Sequence, residues 1–315
     1  MLLSRVADAL YWISRYLERA EHTARLLDVR LDLGLDRPSG ARGWNFERLY
    51  AGLQLPSTPA APASPVALID ALVFDLSNHC SVGSCVTAAR ENARQVREEI
   101  SSDMWEQINA LFLRVKEART DGTWSARPHY VARLVIDGVH LFGGVTDATM
   151  GHGEGWQYLQ VGRYLERASA TAALADLYVR NGSLLPANHV EWVGLLRSCS
   201  ALESYCRCYT ADLRPERIAE FLLLNPEFPR SVRFAAARVE SALRTIALLS
   251  SRGAGGRAER LAGRLHASLD YGQVDEILSE DPHTYLEGIS RYCAQIHAAV
   301  YQSYITYPIE SALPA

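Results

Sequence analysis

Near the start of the chain, apolar residues recur at alternating steps of four and three: Val6, Leu10, Ile13, Leu17, Ala20, Ala24, Leu27 and Leu31. That spacing draws one stripe along an α-helix, so a helix is predicted from about Leu2 to Leu33, with its seam turned toward other helices. The stripe recurs as Tyr158, Val161, Leu165, Ala168, Ala172, Ala175 and Val179, each 148 residues after its counterpart. A late example is Tyr285, Ile289, Tyr292, Ile296 and Ala299. Proline- and glycine-marked breaks fall at 34–43, 56–65, near 120–128, and at 151–155, 181–186, 225–229 and 252–256. Between them the patterns are helical, giving about eleven helices and no alternating strand of useful length.

The polar positions repeat as well. Arg-Tyr-Leu-Glu-Arg-Ala stands at 15–20 and again at 163–168, and residues 15–28 agree with 163–176 at 10 of 14 positions. Ser81-Val82 and Ser231-Val232, 150 residues apart, each open an alanine-rich helix bearing arginines. The expected fold is therefore all-α: an internally duplicated multi-helix bundle with pseudo-two-fold related halves at about 1–150 and 151–315. The segment from Thr146 to Gly155 is short, so the halves should pack as one domain spanning 1–315. The copies are not identical: Ala170 replaces His22 and Ala173 replaces Arg25. One copy has lost groups that the other keeps.

With 315 residues and 48% hydrophobic content, the chain can bury a large core without disulfides or metals. A net charge of −4, with arginines interleaved among glutamates, argues against a nucleic-acid footprint. No run of 18 apolar residues and no signal-type segment is present, so a cytoplasmic location without a membrane span is expected. Lys116 is the single lysine, and no Walker-type lysine or Schiff-base motif surrounds it; a GC-rich coding sequence accounts for the arginine excess. Trp192, Leu195, Cys199, Leu202, Cys206 and Tyr209 read as one buried seam, which makes the cysteines core thiols. Cys206 and Cys208 point apart on a helix, and His79-Cys80 has no third orienting group.

Several charged constellations remain. Asp8, Arg15, Glu18, Arg19 and His22 gather on one side of the first helix, where Glu18 can bridge neighbouring cations at three- and four-residue spacing. Arg163, Glu166 and Arg167 keep the core of that set. Exposed, these are surface ion pairs of little worth; buried, they belong to a specificity device or a ligand site. Flanking Trp12 and Tyr16 favour burial. Arg90, Glu91 and Arg94 form a third cluster, followed by Met104, Trp105, Glu106 and Asn109, which also reads as a solvated helix face. Arg230, at the start of a helix opened by Ser231, suits an anion, but it also reads as an ordinary helix start. No metal site or cofactor is indicated: the one Glu-x-x-His spacing, Glu280 to His283, is interrupted by Pro282, and Glu154 would repel phosphate from the glycine cluster at 151–155.

Taken in order, Tyr11-Trp12, the run 15–25, the run 89–97, residues 104–109, the second repeat at 162–168, and Phe228 to Val232 resemble the bacterial α-E domain family over nearly the whole chain. The resemblance implies an all-helical domain with Glu-Arg motifs, here Glu18-Arg19 and Glu166-Arg167. It implies context more than a reaction. Members are typically encoded beside, or fused to, a circularly permuted ATP-grasp ligase, often near a transglutaminase-like peptidase. The segment 78–82 matches the family's usual Asn-Pro-Ser-Ser only loosely. The function expected on this basis is a non-catalytic accessory module, with Arg15, Glu18, Arg19, His22, Arg163, Glu166 and Arg167 as a polar centre and Arg90, Glu91, Arg94 and Arg230 contributing. It would bind the ligase or a peptide-like anion. Two alternatives stand beside it: an enzyme of amide or phosphoryl chemistry with a glutamate as general base, and a purely structural scaffold.

Overall fold

A computed structural model describes residues 2–35, 46–55, 64–120, 122, 124, 127–179, 189–210, 212–250, 256–279 and 281–306. The described residues form fourteen α-helices and no strand. In chain order these are α1 (Ser4–Leu35), α2 (Phe46–Gly52), α3 (Pro65–Ile69), α4 (Val82–Gln95), α5 (Ser102–Thr120), α6 (Pro128–Thr149) and α7 (Glu154–Val179). They continue as α8 (His189–Ser198), α9 (Leu202–Tyr209), α10 (Pro215–Leu224), α11 (Val232–Leu249), α12 (Arg257–Asp270), α13 (Val274–Ser279) and α14 (Pro282–Val300). The expected eleven rises to fourteen because short helices interrupt the loops and one expected helix is divided. The seam from Trp192 to Tyr209 breaks at Ser200, whose φ of 51° is left-handed; Cys199 is buried behind α8, whereas Cys206 on α9 is only half-buried. The breaks expected at 181–186 and most of those at 34–43, 56–65 and 252–256 lie outside the described residues, as does Glu280.

Helix α1 packs against α4, α6 and α7, while α7 packs against α11 and α14; α5 joins α4 to α6, and α12 joins α11 to α14. Two groups of four helices thus meet across the α1–α7 contact. The stripes read from sequence lie in that core: Leu10, Ile13, Leu17 and Ala24 on one side, Val161, Leu165, Ala168 and Ala172 on the other. The helices approach closely at Gly162. A Cβ added there would lie 2.2 Å from the Tyr11 carbonyl oxygen and 2.3 Å from Ser14 Oγ.

Local contacts recur between the groups at nearly constant offsets. Ser81 Oγ accepts the Ser84 N–H at 3.2 Å to start α4, and Ser231 Oγ accepts the Phe234 N–H at 3.0 Å to start α11. The Thr23 hydroxyl donates to the Cys80 carbonyl at 3.5 Å, and the Thr171 hydroxyl to the Arg230 carbonyl at 3.1 Å. Asp28 is paired with His129 at 2.8 Å, and Asp176 with His283 at 2.7 Å; each histidine follows the proline that opens its helix. The glycine cluster before α7 serves the same interface, because Glu154 accepts the backbone N–H of Leu2 at 2.9 Å.

Candidate functional site

The carboxylate of each hexapeptide is held by arginines outside its own helix. Glu166 of α7 accepts from Arg15 Nε and Arg19 Nε, both at 2.7 Å, and Arg15 Nη2 lies 2.7 Å from the same carboxylate. Glu18 of α1 accepts from Arg167 Nε at 2.6 Å and Arg167 Nη2 at 2.7 Å, a planar two-point pairing. The spacing within each helix suggested intrahelical bridges. The close packing of α1 on α7 instead makes the exchange reciprocal between helices.

A second layer joins at Glu18. Arg230, delivered by the turn before α11, donates to Glu18 at 3.1 Å and to Glu21 at 2.6 Å. Glu21 also accepts from Arg25 of its own helix and lies 3.2 Å from His140 Nε2. Arg25 Nε reaches the Ser198 carbonyl at 2.6 Å, tying α1 to the end of α8. On the other flank, Arg15 Nη1 donates to the Tyr11 hydroxyl at 3.0 Å, and Tyr11 and His297 Nδ1 lie 2.8 Å apart.

This polar centre is buried at Glu18 and Glu21, half-buried at Arg15, Arg19, Glu166 and Arg167, and unbalanced in charge. Glu18 is 4% exposed and Glu21 0%. Among the described residues, Arg15, Arg19, Arg25, Arg167 and Arg230 pair with Glu18, Glu21 and Glu166, a surplus of two positive charges inside a protein whose net charge is −4. Arg163 lies near Glu18 and the exposed Asp147 and donates no hydrogen bond to a described residue. Arg19 commits Nε to Glu166 and stacks over Tyr16, which leaves both of its terminal nitrogens without a partner among the described residues. Desolvation raises the pKa of buried carboxylates, but here the guanidiniums win. Against burial, Arg167 and Arg230 hold Glu18 down to about 2, and Arg15 and Arg19 likewise lower Glu166.

Burial, reinforced by Arg25, lowers the pKa of His22 to about 4; burial and Arg15 do the same for His297. Both rings are therefore neutral in the folded protein at neutral pH. A histidine whose folded pKa is depressed contributes stability above its unfolded pKa of about 6.5 and loses it as pH falls toward the folded value. His22 alone is expected to cost about 3 kcal/mol of unfolding free energy between pH 6.5 and 4. Urea titrations across that window should show a shallower decline for His22→Gln than for the wild type.

Two faces of the centre differ in open volume. Beside Glu166, a cavity of about 230 Å³ is lined by Arg15, Arg19, His22, Gln54, Cys80 and Ser169 among others. Beside Glu18, where His22, Arg25 and Arg230 converge, only about 10 Å³ is left. The first can admit a ligand, whereas the second holds at most a water.

Of the residues expected from sequence, Arg15, Glu18, Arg19, His22, Arg163, Glu166, Arg167 and Arg230 are brought together. Arg90, Glu91 and Arg94 are not. Arg90 and Arg94 pair with Glu91 at 2.9 and 2.8 Å on a largely exposed face of α4, and Arg90 turns to α5, donating to Asn109 at 2.8 Å and stacking on Trp105 and Phe112. Sequence reasoning missed Glu21 and Arg25, although their four-residue spacing just beyond the hexapeptide was a usable signal. Tyr11 stands four residues before Arg15 on α1, the same kind of usable spacing, whereas His140 and His297 arrive through tertiary packing, with no local signal. Among the described residues, no group of three or more metal-ligating side chains occurs, and no helix is long and apolar enough to cross a membrane.

The sequence model of the Alpha-E family, described as a predicted alpha-helical domain with a conserved ER motif, matches residues 2–305. The chain belongs to the Alpha-E family. It is also similar to proteins named as uncharacterized in Mycobacterium bovis and Mycobacterium tuberculosis, at 23% identity over 94% of this chain in each case. The Alpha-E chain spans about a third of those relatives, 35% of their length. No solved structure matches it.

Proposed function

We propose that this Alpha-E chain is a non-catalytic binding module that takes the carboxylate of a peptide-like anion beside Glu166 and works with a circularly permuted ATP-grasp ligase in peptide ligation or tagging. The observation that carries the binding reading is the cationic surplus, with the unpartnered terminal nitrogens of Arg19 bordering a cavity. An anion there gains charge-assisted hydrogen bonds and offsets an unbalanced interior. In this reading the family's ER motif is Glu18-Arg19 and Glu166-Arg167, with each glutamate fixing the arginines of the opposite copy. The ligase partnership rests on the family resemblance. The greater length of the mycobacterial relatives agrees with a module that acts joined to other parts.

The geometry disfavours glutamate-based acid–base catalysis. A general base operating near neutral pH needs a raised pKa, whereas Glu18 and Glu166 are held ionised by paired guanidiniums. Gentle purification of the tagged chain from its host tests the partnership. Stoichiometric recovery of an ATP-grasp ligase is expected, and it should be lost in an Arg19→Ala/Arg167→Ala variant that still folds. Recovery of the wild-type chain without the ligase would sink the partnership.

A further inference from the structure

Gln54, which lines the cavity beside Glu166, also lines a second cavity, of about 540 Å³, with Ala173, Asp176, Leu177, Leu286 and Glu287 among others. Both cavities share one face of α7. Glu166, Ser169 and Ala170 border the first, Ala173, Asp176 and Leu177 the second, and these positions follow the three- and four-residue steps of a single helical stripe.

The corresponding stripe on α1, 148 residues earlier, carries Glu21, His22 and Arg25 where α7 carries Ser169, Ala170 and Ala173. On α1 those larger side chains fill the space and leave about 10 Å³. On α7 the same positions hold small residues, and the space is open.

Groups suited to a ligand stand at both ends and in the middle of this groove. At one end are the terminal nitrogens of Arg19 and the ring of His22, which is 8% exposed. The one hydrogen bond of that ring is a long contact from Nε2 to the Gly52 carbonyl, 3.4 Å, leaving the other nitrogen without a partner among the described residues. At the other end stands Glu287, 59% exposed and 3.9 Å from His283, beside Asp176. Between them Gln54, in the left-handed region with φ 54°, offers an amide whose contacts to Ser169 are long, 3.4 and 3.5 Å, and readily exchanged for a ligand. From Glu166 to Asp176 the helix rises about 15 Å. An extended chain of about four residues covers that distance.

Resting on the anion-binding reading above, we infer that the ligand is an extended peptide of about four residues lying along α7, with its C-terminal carboxylate on Arg19, its backbone at Gln54 and its amino terminus at Glu287. The small residues of the floor leave side-chain identity open, so recognition is by backbone, length and the two terminal charges.

Calorimetric titration with acetate, dialanine, tetra-alanine, C-amidated tetra-alanine and N-acetyl-tetra-alanine tests this. Tetra-alanine should bind at least about tenfold tighter than dialanine. Amidation should weaken it by about a hundredfold and acetylation by about fivefold. Ala173→Arg, which places on α7 the residue that α1 has, should abolish the advantage of length while acetate still binds. Glu287→Lys, a rim change that leaves the core alone, should abolish the effect of acetylation. Acetate binding that requires Arg19, with no dependence on peptide length or a free amino terminus, would overturn the groove and leave the anion site standing. Failure of both acetate and tetra-alanine to bind the wild type would overturn both.

Discussion

Gly162→Ala should destabilise the protein by about 3 kcal/mol or more, a large share of a typical folding free energy. The new methyl group would enter space already held by the Tyr11 carbonyl oxygen, 2.2 Å away, and Ser14 Oγ, 2.3 Å away. A backbone oxygen cannot rotate aside as a long side chain can, so α1 and α7 must separate. Separation would also stretch the Arg15–Glu166 and Arg167–Glu18 pairs that span the same contact. Alanine gains about 1 kcal/mol of helix propensity over glycine, too little to compensate. The matched control is Gly144→Ala on α6, where nothing lies within 4 Å of the added carbon. That change should stabilise by about 0.5 to 1 kcal/mol. Denaturant unfolding of the pair separates a steric effect of the helix crossing from a generic effect of glycine replacement; equal shifts in the two variants would refute the close-approach argument.

Glu21→Ala is expected to cost about 3 to 5 kcal/mol, the penalty for leaving buried charges without their counter-ion. Glu21 is fully buried, and one of its oxygens takes Arg25, Arg230 and His140 together. Its removal leaves Arg25 and Arg230 facing each other; burial and that neighbour already lower the Arg25 pKa to about 10. Removing the repulsion together with the carboxylate, in Glu21→Met/Arg25→Met, should recover a large part of the loss. By contrast, Arg94→Ala on the exposed face of α4 should cost less than about 1 kcal/mol, although it breaks an ion pair of 2.8 Å. Urea unfolding of the wild type and these three variants measures all of this in one series, and a Glu21→Ala cost no larger than that of Arg94→Ala would contradict the buried-network account.

Much of this architecture is legible in the sequence because periodicity reports burial directly. The stripes of α1 and α7 run through the core, and the repeated Arg-x-x-Glu-Arg pointed to the helices that carry the polar centre. Which arginine meets which glutamate was not legible. Local spacing favours partners within one helix, whereas the α1–α7 crossing set by Gly162 gives each glutamate arginines from the other helix. The same local logic overrated Arg90, Glu91 and Arg94, whose close spacing is satisfied at the surface. His140 and His297 come from α6 and α14, and nothing near them in sequence signals their destination. The open face of α7 had a faint signature in Ala170 and Ala173, but a missing side chain reads as ordinary core alanine until the cavity beside it is seen.

The cationic surplus around Glu166 is expected to accept an anion through Arg19. Thermal unfolding as a function of acetate concentration, at constant ionic strength set with chloride, tests it most directly. Binding to the folded state alone adds RT ln(1 + [L]/Kd), about 2.7 kcal/mol when the ligand stands at a hundred times its dissociation constant. A saturable rise in the melting temperature of the wild type, absent in folded Arg19→Gln, is the predicted result. A flat response, or an equal rise in both proteins, would contradict it.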